Sequence, residues 1–362
     1  MTLRIAQVAP LAESVPPRTY GGTERVCSWL TEELVRQGHD VTLFASADSS
    51  TSATLAPCCP KALRRAGVSN HVPSLLLMLD RVCKLADRFD IIHFHVDLFQ
   101  FPLFQDLAWK SLTTLHGRLD LPEMHPVYRT FSGMPLVSIS EAQRRPIPDA
   151  NWLATVHHGM PGGLIPCSAG QGGYLAFLGR ISPEKRPDRA IEIAIGAGIP
   201  LKLAAKVDAV DQAYFDAVIR PWLDHPLIEF LGEIDDARKR SFLGDAVALL
   251  FPIDWPEPFG LAMIEAMSAG TPVIAWRNGS VPEIVDPGVT GFIVQSIDQA
   301  IEAASRIGGL DRRKIRQRFE RRFGVERMAR DYVELYRRHG NAADARWAAP
   351  AMRRELDRAQ LV

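Results

Sequence analysis

Glu257 and Glu265 bracket the run Pro258-Phe259-Gly260-Leu261-Ala262-Met263-Ile264. Pro256 and Pro258 keep the backbone out of helix until about Phe259, and Gly260 lets the main chain approach a ligand closely where that helix begins. A helix start gathers unpaired N–H groups around an anion. Glu257 then stays on the loop, while Glu265 lies about a turn and a half into the helix. The two acids therefore address different parts of one ligand. Leu249, Leu250, Phe251, Met263, Ala266 and Val273 read as buried faces, which sets both carboxylates beside a core edge rather than on open surface. Carboxylates accept charge-assisted hydrogen bonds from paired hydroxyls, so an anion site between two of them suits a sugar nucleotide.

Cations stand at a second place. Gly179-Arg180-Ile181-Ser182-Pro183-Glu184-Lys185 follows an apolar strand directly, which sets Arg180 and Lys185 at a strand's carboxyl end. Arg engages two phosphate oxygens at once and Lys acts as a point charge. Fixed cations aimed at a departing diphosphate in a water-poor cleft lower the barrier to its departure. Gly21-Gly22-Thr23, after Tyr20, opens another helix, and Gly22 permits backbone contact with phosphate there. This run lacks the G-x-G-x-x-G of dinucleotide binders. His116-Gly117 ends a further strand and points toward the same cleft.

A different chemistry is written at His93-Phe94-His95-Val96-Asp97, where both histidines and the aspartate share one strand face. The string resembles the start of the H-x-H-x-D-H motif of β-lactamase-type metallo-hydrolases and would make the chain a metal-dependent hydrolase. Leu98 stands where the next histidine belongs. The alternative is a hydrogen-bonded pair at a strand edge lining the acceptor side. No Asp-x-Asp, Gly-x-Ser-x-Gly elbow or phosphate-binding P-loop occurs, so no metal site is expected and Arg180 and Lys185 would do a divalent ion's work.

The string from Glu257 to Ala275 resembles the signature of retaining glycosyltransferases of family 4, which have the GT-B fold, and the resemblance runs from Leu3 to Arg338. It implies a retaining glycosyltransferase that moves a sugar from a UDP- or GDP-sugar, its donor substrate, to an unidentified acceptor in glycan, glycolipid or polysaccharide biosynthesis, with no cofactor. By that resemblance His116 contacts the donor sugar and supports catalysis, with Arg180, Lys185 and Glu257. Glu257 binds sugar hydroxyls, Phe259, Gly260 and Leu261 add backbone contacts, Glu265 holds the ribose, and the last helix crosses back to the first domain. Base choice would rest near Gly232-Glu233-Ile234. Ser280, before Val281-Pro282-Glu283, and Gly117 depart from the usual pattern, and are expected to bear on substrate choice. A protein that binds sugar nucleotide without transferring it is the alternative within the same fold.

The elements that must position these residues alternate strand and helix throughout, the pattern of parallel α/β sheets. Strands are expected at Leu3 to Ala9, Val41 to Ala45, Ile91 to Phe94, Ser111 to Leu115, Leu136 to Ile139 and Ala154 to His157. A second series runs at Tyr174 to Leu178, Leu201 to Ala205, Ile228 to Leu231, Ala246 to Phe251, Pro272 to Ala275 and Gly291 to Val294. The helix Thr23 to Arg36 closes at Gly38 as a glycine C-cap. The Gly- and Pro-rich stretch from Gly159 to Gly173 reads as a linker. Two Rossmann-like doubly wound domains facing a central cleft follow, at 1–165 and 166–325, with a crossover helix at 326–340 and a tail at 341–362.

Length alone, at 362 residues, accommodates two such domains. Lys and Arg total 42 against 42 Asp and Glu, which gives no footprint for nucleic acid. Five cysteines without a C-x-x-C pair fit a reducing, cytoplasmic setting. The best candidate apolar run, Leu75 to Leu79, is too short to span a bilayer. The basic stretch from Arg312 to Arg338 reads as a docking helix with a solvated basic face, so membrane contact is peripheral at most.

Overall fold

Seven short runs of Ile, Val, Leu, Ala and Thr, buried on both faces except at the edges, form the first sheet of the computed structural model, which describes residues 2–18 and 21–340. These are β1 (Arg4–Val8), β2 (Asp40–Ser46), β3 (Thr54–Cys59), β4 (Ile91–Phe94), β5 (Ser111–Thr114), β6 (Leu136–Ser138) and β7 (Trp152–Thr155). They pair in parallel in the order β3-β2-β1-β4-β5-β6-β7. The second sheet comprises β8 (Leu175–Ile181), β9 (Leu201–Val207), β10 (Ile228–Gly232), β11 (Ala248–Phe251), β12 (Val273–Trp276) and β13 (Gly291–Val294), in the order β10-β9-β8-β11-β12-β13. Both orders reverse once, beside β1 and β4 in the first sheet and beside β8 and β11 in the second. Ligands of open parallel sheets bind at the carboxyl ends of the strands flanking such a reversal.

The strands at the reversals have no polar outer face because helices cover both sides of each sheet. The helix Gly22–Arg36 turns Val26, Leu30 and Leu34 inward at helical spacing and ends at Gly38, whose φ of +83° lets its N–H reach the Val35 carbonyl at 2.9 Å. Each of these fully buried aliphatic side chains contributes about 1.5–3 kcal/mol.

Three differences from the expected elements have physical causes. β3 was not anticipated, since Pro57 interrupts its apolar run. It occupies a sheet edge, where a strand tolerates proline. β7, half-buried on the opposite edge, begins at Trp152 rather than Ala154. The basic C-terminal stretch is two helices, Arg312–Phe323 and residues 325–340, broken at Gly324.

Its basic face is also not simply solvated. Arg312 donates to the carbonyls of Ser168, Ala246 and Gly244 at 2.7, 3.0 and 2.9 Å. Arg316 donates to those of Ile165, Ser268 and Gly162 at 2.9, 2.6 and 2.7 Å. Arg327 reaches those of His157 and His158 at 2.7 and 2.9 Å. These arginines fasten the stretch from Gly159 to Gly173, which carries no regular strand or helix. A Cβ on Gly159 would stand 2.5 Å from the Gly324 carbonyl oxygen, so only glycine permits this crossing.

Residues 325–340 lie back on the first sheet, with Met328, Tyr332 and Tyr336 in one apolar cluster with Ile5, Leu30 and Leu34. The buried Tyr332 hydroxyl is satisfied by Thr114 at 2.8 Å. Among the described residues no helix is long and apolar enough to cross a membrane. The tail expected at 341–362 lies outside the described residues, as does Tyr20.

Candidate active site

A cleft of about 480 Å³ opens between the carboxyl edges of the two sheets, lined from both sides. Gly22, His116, Arg180, Lys185, Glu257, Phe259, Gly260 and Leu261 all line it, and Glu265 lines an adjoining cavity of about 150 Å³ together with Gly22, Leu261 and Glu233. The structure thus brings together the nine residues expected to hold a sugar nucleotide, across more than 240 positions of chain, while His93, His95 and Asp97 line neither cavity. Two helix starts meet here. A Cβ on Gly22, at the head of Gly22–Arg36, would lie 3.5 Å from the Leu261 side chain, at the head of Leu261–Ser268. First-turn N–H groups of a helix have no intrahelical partner, so both ends offer donors to the same space.

Gly260 caps the second helix with φ +82°, and a Cβ there would come within 2.9 Å of the Phe251 ring. Its neighbour loop is braced from behind. The Ser280 N–H donates to the Glu257 carbonyl at 3.0 Å and the Ser280 hydroxyl to the Phe259 carbonyl at 2.8 Å. Ser280 is fully buried and lines neither cavity, so this departure shapes the loop rather than contacting a ligand. Gly117 faces open space and its carbonyl accepts from Gln143 at 2.8 Å.

The charged groups are already paired. Lys185 forms a short ion pair with Glu257, which also accepts from the Trp255 indole N–H at 3.0 Å. Lys185 further sits 4.9 Å from the Trp255 ring centre. Arg180 lies 2.7 Å from Glu184, 3.6 Å from Asp208 and 3.9 Å from Asp211. Glu265 accepts from Lys239 at 2.8 Å, and only 6% of it is exposed. A carboxylate has about four acceptor positions, so Glu265 keeps room for two hydroxyls beside that ammonium. An incoming diphosphate meets cations whose positions are fixed by acids and must compete with those acids.

The opposite wall carries Glu24 and Arg64 beside a pair of uncharged histidines. His116 follows β5 and stacks on His158 with ring centres 5.2 Å apart and planes 19° from parallel. His158, missed from sequence, is buried against the edge of Phe259, and its Nδ1 has no hydrogen-bond partner among the described residues. Behind His116, its Nε2 meets His95 Nδ1 at 2.8 Å, and His95 Nε2 meets Gln7 Oε1 at 2.9 Å. His93 bonds Tyr336 through Nδ1 and Thr114 through Nε2, both at 2.7 Å. Burial pushes His93, His95 and His158 well below the usual imidazole pKa and His116 down to about 3, so the cluster is uncharged at neutral pH. Gln7 carries no motif, and His95, singled out with His93 as a strand-edge pair, is hydrogen-bonded here as that alternative expected.

This geometry does not serve the metallo-hydrolase reading. His93 and His95 have both ring nitrogens committed to protein partners, and Asp97 turns off the strand with φ +55° into a separate cavity of about 260 Å³. Among the described residues no three His, Cys, Asp or Glu side chains are grouped to hold an ion.

The two units are tied across the cleft. Glu283 accepts from the N–H groups of Glu141 and Ala142, each at 2.8 Å, and from His157 at 3.1 Å. Burial pushes its carboxyl up, but these hydrogen bonds more than offset it, and its pKa lies below the ordinary value. Ser140 donates to the Pro258 carbonyl at 2.6 Å, and Arg25 pairs with Asp236 at 2.5 Å.

Two Rossmann-like sheets face to face, with a last helix returning to the first, define the GT-B class of glycosyltransferase folds. The chain belongs to the glycosyl transferases group 1, or glycosyltransferase family 4: the group 1 model matches residues 168–321 and the family 4 model residues 20–152. A stretch of 138 residues is 35% identical to the D-inositol 3-phosphate glycosyltransferase of Streptomyces scabiei, covering 35% of this chain and 31% of that protein. The match therefore spans about a third of the length of that curated relative. The structure of AviGT4, a glycosyltransferase involved in avilamycin A biosynthesis, superposes with a TM-score of 0.72 at 25% identity over 94% of this chain and 98% of that one. HepE of Anabaena, in complex with UDP and glucose, shares the fold with a TM-score of 0.68 at 18% identity, over 92% and 98% of the two chains.

Proposed function

We propose that this chain transfers a sugar, with retention and without a metal ion, from a UDP- or GDP-sugar to an acceptor seated on the first-sheet side. The observation that carries this reading is the convergence of Arg180, Lys185, two helix starts and two carboxylates on one cleft at the reversal points of both sheets. Glu265 holds the ribose hydroxyls with Lys239 steadying its other oxygen, and the base occupies the small cavity by Glu233. The diphosphate lies between the helix starts and the two cations. Glu257, released from Lys185 as that ammonium turns to phosphate, accepts sugar hydroxyls.

As the bond from sugar to phosphate breaks, negative charge gathers on the leaving diphosphate, where Arg180 and Lys185 stabilise it without reorganising water. His116 and His158, uncharged, line the sugar's other side and leave the developing positive charge on the sugar unopposed. The acceptor oxygen attacks the anomeric carbon from the face the diphosphate leaves, and its proton passes to that diphosphate. The residues near 1–165 and 166–325 form the acceptor and donor domains, and the reaction belongs in the reducing, cytoplasmic compartment. HepE, which shares the fold and binds UDP and glucose, supports the donor class.

The test is release of nucleoside diphosphate from a panel of UDP-, GDP- and ADP-sugars in excess EDTA, with Lys185→Ala and Glu257→Ala alongside. Release from one donor that survives chelation and is lost in both variants supports the reading. Binding without release would favour the non-catalytic alternative, and no binding of any donor would remove the donor assignment.

A further inference from the structure

We propose that Gln7, anchored by Tyr336 of the returning helix, holds His95 and through it His116 in the Nε2–H tautomer, so that His116 presents an unprotonated Nδ1 to the ligand. Gln7, His93 and Tyr336 are within 2% of complete burial, and so is His95. Every link is a hydrogen bond between side chains, and all but the last, at partly exposed His116, are buried from water, so each proton position dictates the next. The inference rests on the proposed donor site only in what Nδ1 is for.

The direction of the relay follows from counting donors. Gln7 offers two amide protons and one carbonyl oxygen. With the amide placed as it is, one N–H donates to the Tyr336 hydroxyl at 3.2 Å and the other lies 3.4 Å from His93 Nδ1, whose single lone pair it shares with the Tyr336 O–H. Its oxygen meets His95 Nε2 at 2.9 Å. Turned over, the nitrogen would face His95 alone, and the second buried N–H would have no acceptor even to share. The oxygen must therefore face His95, so His95 Nε2 carries the proton and its Nδ1 accepts.

His116 Nε2, 2.8 Å away, is then the donor. That leaves Nδ1 as the basic nitrogen of His116, and no protein group among the described residues bonds it. His116 lines both the cleft and the 260 Å³ cavity beside Asp97, so this nitrogen accepts a hydroxyl proton from a ligand on either side. The other end of the relay closes consistently. Tyr336 accepts from Gln7 and donates to His93 Nδ1 at 2.7 Å, and His93 Nε2 donates to Thr114 at 2.7 Å. Gln7, His95 and Tyr336 are positioning residues, since none lines the cleft. The arrangement also gives the returning helix a reason to reach the first sheet beyond packing, because its hydroxyl fixes the His116 nitrogen through two intervening residues, Gln7 and His95.

The experiment is nitrogen-15 NMR of histidine-labelled full-length protein, with His116→Ala to assign the ring, read beside steady-state turnover. The wild type is expected to show His116 protonated at Nε2 with a lone pair on Nδ1. Gln7→Leu is expected to mix the two tautomers and to lower kcat by about 10 to 100-fold, as loss of an orienting partner does, with the donor KM changed less than about 2-fold. His95→Gln, whose carbonyl still accepts from His116, is expected to retain the tautomer and most of kcat, and it carries the test where Gln7→Leu fails to fold. A His116 ring protonated at Nδ1, or a tautomer and kcat untouched by Gln7→Leu, overturns the relay. A protein that binds no nucleotide but shows the expected tautomer and its loss in Gln7→Leu keeps the relay and discards the donor reading.

Discussion

On the second-sheet wall of the cleft the groups offered to a ligand are charged or sit at a helix start, and they come from two short loops, Gly179 to Lys185 and Glu257 to Leu261. On the first-sheet wall, beside the Gly22 helix start, Glu24 and Arg64, stands a neutral face of two histidines, with His116 held by side chains from β1, β4, β5 and a helix more than 200 residues away. The charged wall holds its cations by ion pairs that a diphosphate can displace, Lys185 with Glu257 and Arg180 with Glu184. The neutral wall holds His116 by buried bonds that nothing displaces. Charge where a leaving group departs and its absence where a cationic sugar develops are complementary demands of one reaction.

The largest effect that sharpens this contrast is on turnover. Lys185→Ala and Arg180→Ala are each expected to lower kcat by about 100 to 1000-fold, the cost of removing one group that stabilises a transition-state charge. Single-turnover kinetics checks it, and retention of more than a third of wild-type kcat would place the diphosphate elsewhere.

Next in size is acid sensitivity of the neutral wall. Histidines with lowered folded pKa values stay neutral while the unfolded chain takes up protons, so their contribution is complete above about pH 6.5 and declines below it. His93, His95, His116 and His158 act this way, each worth at most about 1.4 kcal/mol per pH unit, while Glu24 and Asp97, raised by burial, pull in the other direction. Urea unfolding at pH 7.5 and 5.5 should give a lower midpoint at 5.5. Glu283, with its lowered pKa, adds its loss only below about pH 4.5. An unchanged midpoint would mean the histidines are hydrated rather than desolvated.

Glu283→Gln tests how the walls are kept facing each other. It leaves one of the Glu141 and Ala142 N–H groups poorly paired and is expected to cost about 1–3 kcal/mol in thermal or chemical unfolding. Two separated transitions in calorimetry would be the strongest form of that result, and no change would show the contact to be incidental. The smallest effect is at Ser280→Ala, which removes the hydroxyl bracing the Phe259 carbonyl. A loss of about 1 kcal/mol in stability is expected, with a modest rise in donor KM and no change in which donor is used.

The same two walls differ in how far they could be read from the chain. Arg180, Lys185, Glu257 and Glu265 stand in contiguous strings whose turns, glycines and helix start are local, so residue order already states their geometry. Eleven of the thirteen strands lie within two residues of their expected positions at both ends, and a twelfth, β8, runs three residues further, because buried parallel strands are short apolar runs. β3 escaped through Pro57, whose tolerance depends on an edge position that only the assembled sheet defines. The returning arginines were read as a solvated face because sequence shows their charge and not the linker carbonyls that receive it. His95 was legible as half of a histidine pair at a strand edge, but Gln7 and His158 had no such signal, since a glutamine on a buried strand becomes meaningful only when Tyr336 arrives beside it.

The most direct measurement is a crystal structure with a nucleoside diphosphate and the chelator EDTA. The account predicts the diphosphate oxygens within hydrogen-bond reach of Arg180, Lys185 and the first N–H groups of Leu261–Ser268, with the ribose on Glu265. A nucleotide bound away from the Gly22 and Leu261 helix starts, or contacting neither cation, would contradict it.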